Sequence, residues 1–359
     1  MGPTVVTDEL RRKVADECRL QAAACRHLGA PFYEHILLAM ADDALAGGPT
    51  WELLGPYARR PFDDAYRLRV LGGIHRMVLD GDAPALAARF PSTGGDGDAA
   101  AAWPLVREVL QDPPPVVRDA MTRPPQTNEV GRSVALVPGF LTVAREFGLP
   151  LRLLELGTSA GLNLRVDAYR YENGPDAWGD AASPVRFVDL WTERRPPLDV
   201  PGRVVERRGC DRDPIDATVD DSRLRLLSYV WPGQQERFAL LRHALDVSTR
   251  TPVEIDRADA AEWVARQLER PVPGVATVVF HSIAWQYFGD ATHRSIRDAL
   301  DAAGARATAR APLAWLRLEP AEAGVPVELR LTTWPDAGSG PDLLLATAGF
   351  HFGPVRWLA

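Results

Sequence analysis

Leu151-Arg-Leu-Leu-Glu155-Leu-Gly157-Thr-Ser159-Ala-Gly161 decides how this chain of 359 residues is read. Leucine fills positions 151, 153, 154 and 156. A short apolar run that stops at a turn reads as a buried strand. The glycines that follow let the backbone turn sharply and come close to a ligand. In an open α/β sheet, ligands lie outside the carboxyl ends of the strands. The residues after Leu156 are therefore the first place to look for a site.

Four more buried runs lie downstream: 204–208, 252–255, 275–280 and 313–318. Helical spacing fills the gaps at 221–229, 235–245, 258–268 and 292–303. Strands alternating with helices imply a parallel sheet with right-handed crossovers. The last two runs, 327–333 and 343–348, have no long helix between them and read as an antiparallel hairpin at a sheet edge. Upstream, the apolar spacing is nearer 3.6 than 2. Asp8 is placed to cap the first helix. A later helix is expected from about Thr127 to Phe147, with a kink or break at Pro138-Gly139. Two domains follow: a helical one over 1–125, acting as a lid or dimer interface, and an α/β one over 126–359.

Bulk composition narrows the function classes. The net charge is -7, with 41 basic residues of which Lys13 is the single lysine. That balance argues against nucleic acid as the main partner, because phosphate binding needs clustered cations. Three cysteines, Cys18, Cys25 and Cys210, lack metal or redox spacing and read as reduced thiols of a cytoplasmic protein. The start of the chain shows neither a basic nor an apolar leader region. No apolar run reaches the roughly 18 residues of a membrane span. The seven histidines show no ligand spacing, so no metal is expected. No lysine follows Gly161, which excludes a phosphate-binding loop of the G-x-x-x-x-G-K-[ST] type.

The segment from Glu155 to Gly161 resembles the acidic-x-G-x-G-x-G signature of S-adenosylmethionine (SAM)-dependent methyltransferases, with Ser159 in place of the middle glycine. Five parallel strands and a terminal hairpin resemble the same class I arrangement, a seven-stranded, doubly wound, Rossmann-like sheet. The resemblance implies that Glu155 organises the methionine amino end and that Gly157, Ser159 and Gly161 pass beneath the cofactor. The alternative is a tight strand-to-helix turn. After the second strand, Asp211 can accept hydrogen bonds from vicinal ribose hydroxyls; it can equally be a turn or cap aspartate. After the third, Asp259-Ala260 matches the acidic-small pair that contacts adenine in methyltransferases, and Asp259 fits a helix cap as well. After the fourth comes His281-Ser282-Ile-Ala-Trp285-Gln286-Tyr287, dense in hydrogen-bonding groups. His281 and Ser282 are assigned to the cofactor edge, Trp285 and Gln286 to the substrate, and His281 and Tyr287 to orienting or deprotonating an acceptor.

Gly157-Thr-Ser159-Ala-Gly161 also fits G-x-S-x-G, the nucleophile elbow of α/β-hydrolases. An aspartate such as Asp259 and His281 or His351 could complete a triad in chain order. The helical upstream region and the missing His-Gly-Gly-Gly segment weigh against it.

Longer segments, Thr127-Asn128-Glu129-Val-Gly-Arg132, Leu154 to Leu164, Asp167-Ala-Tyr169-Arg-Tyr171, Arg208 to Asp216 and Trp231-Pro232, are similar to the bacterial domain of unknown function 2332. Phe280 to Tyr287, Leu316-Arg-Leu-Glu319-Pro320 and a tail from His351 to Trp357 extend the likeness over nearly the whole chain. In the tail, Phe352 separates a His-Gly pair expected to be adjacent. The likeness implies a methyltransferase-like nucleotide-binding fold and no particular reaction. Asn128, Glu129 and Arg132 stand at helical spacing and either bridge that helix or close over the cofactor. Asn128, Asn163, Asp167 and Tyr171 are assigned to the substrate pocket. The leading expectation is a SAM-dependent transferase, a methyltransferase of a small molecule, with a homodimer as candidate assembly. A serine hydrolase through Ser159 and a non-catalytic or non-methylating SAM-binding protein are the alternatives.

Overall fold

A computed structural model describes residues 3–321, 326–336, 342–351 and 353–359. The chain divides into two compact units, Met1–Thr127 with Val219–Arg242, and Asn128–Thr218 with His243–Ala359. The helical unit thus takes in a segment, 219–242, that lies inside the α/β part of the sequence.

That segment is held by packing in the helical unit. The helix Tyr66–Asp80 carries Gly72 and Gly73 in its middle, where glycine costs about 1 kcal/mol against alanine. A Cβ on Gly72 would come within 2.4 Å of the Tyr229 ring, and one on Gly73 within 2.9 Å of the Val117 Cα. Both glycines exist to let neighbours approach. His75 on the same helix is wholly buried, with Nδ1 3.0 Å from the Ser228 carbonyl and Nε2 2.8 Å from Ser92 Oγ. The first helix is Pro3–His27, so Asp8 lies within it and does not cap it. Its buried residues Val14, Cys18 and Ala22 meet Ile36, Leu37 and Met40 of the helix Pro31–Leu45 in one core. Cys25 and Cys210, like Cys18, are buried thiols.

The described residues of the α/β unit form twelve strands, beginning with β1 (Leu151–Leu156), β2 (Arg170–Asn173), β3 (Asp176–Gly179), β4 (Arg186–Val188), β5 (Trp191–Glu193) and β6 (Val204–Asp211). They continue as β7 (Glu254–Arg257), β8 (Ala276–Ser282), β9 (Leu313–Pro320), β10 (Val327–Trp334), β11 (Leu343–Ala348) and β12 (Val355–Trp357). Among the described residues the large sheet has nine strands in the order β5-β12-β11-β10-β9-β8-β1-β6-β7. Strands β7, β6, β1, β8 and β9 are parallel neighbours. In chain order these five read 3-2-1-4-5, so the order reverses between β1 and β8, where such sheets place ligands.

The sheet therefore has nine strands where seven were expected. β12 pairs with β11 and β5 pairs with β12, both beyond the β10–β11 hairpin. Each is three residues long, too short for alternation to register in a sequence. β2, β3 and β4 form a second small sheet. The connection from β1 to β6 differs too. In place of an α-helix it has a tight 3-10 segment, Leu162–Ala168, and then the small sheet.

Helices cover both faces. On one, Trp263 and Val264 from Ala260–Gln267 and Ile296 and Leu300 from Asp290–Gly304 pack with Leu154, Leu156 and Val279. On the other lies Ser133–Phe147, which runs through Pro138-Gly139 without the expected break. Pro138 sits in the second turn of that helix, and Gly139 lets Leu316 approach: a Cβ there would lie 2.9 Å from its methyl groups. Among the described residues, no helix is long and apolar enough to cross a membrane.

Candidate functional site

Strand alternation sends neighbouring side chains to opposite faces. Phe280 stands edge-on to Phe140, ring centroids 5.0 Å apart, on the Ser133–Phe147 side. Glu155 pairs with Phe280 and shares that face. His281, the next residue of β8, points to the other face, toward Trp315. The two ends of the expected site thus lie on the two sides of the sheet's carboxyl edge.

The turn after β1 is tied down at every step. Gly157 and Thr158 donate to the Cys210 carbonyl at 2.9 and 3.1 Å. The Ser159 N–H donates to Asp211 Oδ2 at 2.9 Å, and the Ile215 N–H donates to the Ser159 carbonyl at 3.1 Å. The Arg165 guanidinium donates to the carbonyls of Ala160 and Gly161 at 3.0 and 2.8 Å. Gly157, Ser159 and Gly161 have φ of 70, 53 and 68°, a region that glycine enters freely and serine does not. A Cβ on Gly157 would lie 2.9 Å from Ala284 Cβ, and one on Gly161 2.9 Å from Val253. Both glycines are therefore explained by the protein's own packing as well as by backbone conformation.

Glu155 is 2% exposed and accepts a hydrogen bond from the Thr158 hydroxyl. Burial pushes its carboxyl from 4.5 up to about 8, against the opposing pull of Thr158, Arg132 and Arg165. Around it, Asn128 Oδ1 accepts the Leu162 N–H at 2.8 Å, and the Asn163 amide donates to the Glu129 carbonyl at 3.3 Å. Arg132 donates to the Ser282 carbonyl at 2.8 Å, and Glu129 Oε2 lies 3.5 Å from His351 Nδ1. Asn128, Glu129 and Arg132 belong to the α/β unit and precede the helix Ser133–Phe147, in an extended stretch and a single 3-10 turn. They do not share a helix face as their spacing suggests. Ser159 Oγ and Asn163 Oδ1 are buried with no hydrogen-bond partner among the described residues.

On the opposite face, His281 is fully buried and its Nδ1 lies 2.6 Å from Glu319 Oε1. The same oxygen accepts the N–H groups of Ala284 and Trp285 at 3.0 and 3.2 Å. These two amides converge because Ile283 has φ 48° and Ala284 a φ of -121°, successive conformations that turn neighbouring N–H groups toward one anion. Trp285 stacks on His281 at 4.9 Å and on His293 at 4.2 Å, so the indole lies between two imidazoles. His281 Nε2 and Glu319 Oε2 are buried without a hydrogen-bond partner among the described residues. Glu319, which sits at the carboxyl end of β9, was not among the residues assigned from sequence; its place just past an apolar strand was the available signal.

Several of the remaining expected residues make contacts of their own, and two are exposed. Asp211 uses both carboxylate oxygens on backbone amides, of Ser159 and of Asp213 at 2.9 Å. Asp259 is exposed and caps the helix Ala260–Gln267 through the Ala261 N–H at 2.9 Å; Ala260 is buried behind it. Asp167 makes a two-pronged ion pair with Arg207, each contact 2.7 Å. Tyr171 is buried in the small sheet and stacks on Phe187 at 5.3 Å. Tyr287 is 62% exposed, and Gln286 beside it is exposed too. Phe352 lies outside the described residues.

The chain belongs to the family described as "Uncharacterized protein conserved in bacteria (DUF2332)", which it matches over residues 15–357. No curated protein and no solved structure matches it.

Proposed function

We propose that this DUF2332 chain is a SAM-dependent transferase that methylates a small-molecule acceptor, with the cofactor at the carboxyl ends of β1 and β6. The carrying observation is Glu155: a carboxyl buried at the point where strand order reverses, pushed up to about 8 by burial, with the Thr158 hydroxyl donating to it. A cationic amino group brought beside it would stabilise its ionised form. The orphaned Ser159 Oγ and Asn163 Oδ1 are further polar groups that a ligand with ammonium and hydroxyl ends would satisfy.

In this reading Glu155 holds the amino end. Asp211 meets the ribose hydroxyls with the second lone pairs of oxygens that already fix the turn. SAM supplies a methyl group on an electrophilic sulfonium, so the protein has chiefly to align a nucleophile and hold its proton. Thermal-shift measurements with SAM, S-adenosylhomocysteine and NAD test the reading. A rise in Tm with the two SAM compounds and not with NAD supports it, and no rise with either SAM compound removes it.

A second reading, a serine hydrolase, draws on Ser159 itself: φ 53° in a strand-to-turn elbow, with an unpartnered hydroxyl. Its acid would be Glu319, since Asp259 is spent on a helix cap. Ser159 is only 5% exposed, and among the described residues no histidine hydrogen-bonds its Oγ, which favours the transferase reading.

A further inference from the structure

We propose that His281 and Glu319 form a general-base dyad, with Glu319 the positioning residue and His281 Nε2 the atom that takes the acceptor's proton. The inference rests on the transferase reading for its reaction and on independent geometry for its parts. A carboxylate only accepts, so the 2.6 Å contact makes Nδ1 of His281 the protonated nitrogen. The basic lone pair of the neutral ring is then on Nε2, the nitrogen left without a partner.

Three features hold that arrangement. Glu319 Oε1 is fixed by two amides as well as by the imidazole. Those amides are aimed by Ile283 in a left-handed conformation, which a β-branched residue adopts only under constraint from its surroundings. The Ile283 N–H donates to the Leu318 carbonyl at 2.9 Å, which ties the strained residue to β9, the strand that carries Glu319. The ring plane is set by Trp285, itself held by His293, whose Nε2–H donates to the Trp285 carbonyl at 2.9 Å. A purely structural histidine would spend both nitrogens, as His75 does on Ser228 and Ser92. His281 spends one.

The step balances. With SAM bound, an acceptor O–H or N–H would give its proton to Nε2 as its heteroatom takes the methyl carbon, the carbon–sulfur electron pair staying on sulfur in neutral S-adenosylhomocysteine. The resulting imidazolium faces the Glu319 carboxylate, which stabilises it. The substrate class is therefore a hydroxyl or amine that must lose a proton during transfer.

Long-range proton–nitrogen NMR on the full chain labelled with nitrogen-15 histidine tests this on the unaltered dyad, a variant serving only to identify signals. Signals of His281 are identified by their loss in His281→Gln, or by their contacts to Trp285 if that variant fails to fold. The expected spectrum of the neutral ring has Nδ1 protonated and Nε2 bare. S-adenosylhomocysteine, added as the probe, is expected to move the His281 Nε2 resonance and leave that of His75 in place. A protonated Nε2 with bare Nδ1, or no response of His281 to bound S-adenosylhomocysteine, overturns the dyad. If the probe binds nowhere, the transferase reading falls, while the tautomer still decides whether Glu319 sets the base.

Discussion

The Ser159 N–H donates to Asp211 Oδ2 at 2.9 Å, so a side chain at the end of β6 sets the shape of the turn after β1. The other oxygen of Asp211 accepts the Asp213 N–H at 2.9 Å. Hydrogen bonds to a charged group contribute about 1.5–3 kcal/mol each, less where solvent competes. Asp211 is half-buried, so Asp211→Ala should cost about 2 kcal/mol and, on the transferase reading, weaken SAM binding together with stability. Asp211→Asn, which keeps one acceptor, should lose less of both. Urea unfolding with parallel binding measurements checks this, and an Asp211→Ala protein of full stability would show that the turn does not depend on it.

Ser159→Gly should stabilise the fold by about 1 kcal/mol, because φ 53° is strained for serine and free for glycine. It also restores the glycine that methyltransferase turns carry. The transferase reading expects SAM binding to persist in Ser159→Gly and Ser159→Ala. A hydrolase would lose all activity in both, with folding intact.

Glu155 makes stability fall with rising pH. Its carboxyl titrates near 4.5 when unfolded and near 8 when folded, so the folded chain binds the proton more tightly. Its contribution is full below about pH 4.5 and is lost progressively as pH rises through about 8. The size is a few kcal/mol, at about 1.4 kcal/mol for each pKa unit. Glu155→Gln removes that slope and should be more stable than the parent at pH 8. Equal slopes in the two proteins from pH 5 to 8.5 would contradict the assignment.

The helical unit should respond in the opposite sense. Burial lowers the His75 pKa from 6.5 to about 4, outweighing the bond to Ser228. Its contribution is present above about pH 6.5 and is lost as pH falls toward about 4, where the unfolded chain takes up the proton first. Hydrogen exchange in the helix Tyr66–Asp80 should accelerate over that window, and an acid limb equally steep in His75→Gln would count against it.

The parallel core of the fold was legible because buried strands announce themselves. Leu151–Leu156 and Ala276–Ser282 are buried along their whole length and carry near-continuous apolar runs. β5 and β12 were not legible, because three residues show no period. The place of 219–242 was hidden as well, since it depends on Tyr229 meeting Gly72 across a long span of sequence. At the site, residues next to strand ends were found as positions, but their engagements were not. Asp167 faces Arg207 and Tyr171 faces Phe187 through contacts that only the tertiary structure creates. Glu319 escaped for the same reason: its meaning depends on His281, 38 residues earlier.

Calorimetric titration of SAM into the full chain at about pH 7, in two buffers of different ionisation enthalpy, tests the role of Glu155 as the cofactor's anchor. On the transferase reading Glu155, protonated when buried alone, should give up its proton to face the cofactor's amino group. Binding with net proton release is expected, and Glu155→Gln should bind more weakly and release none. Absence of binding, or binding whose heat is the same in both buffers, would contradict it.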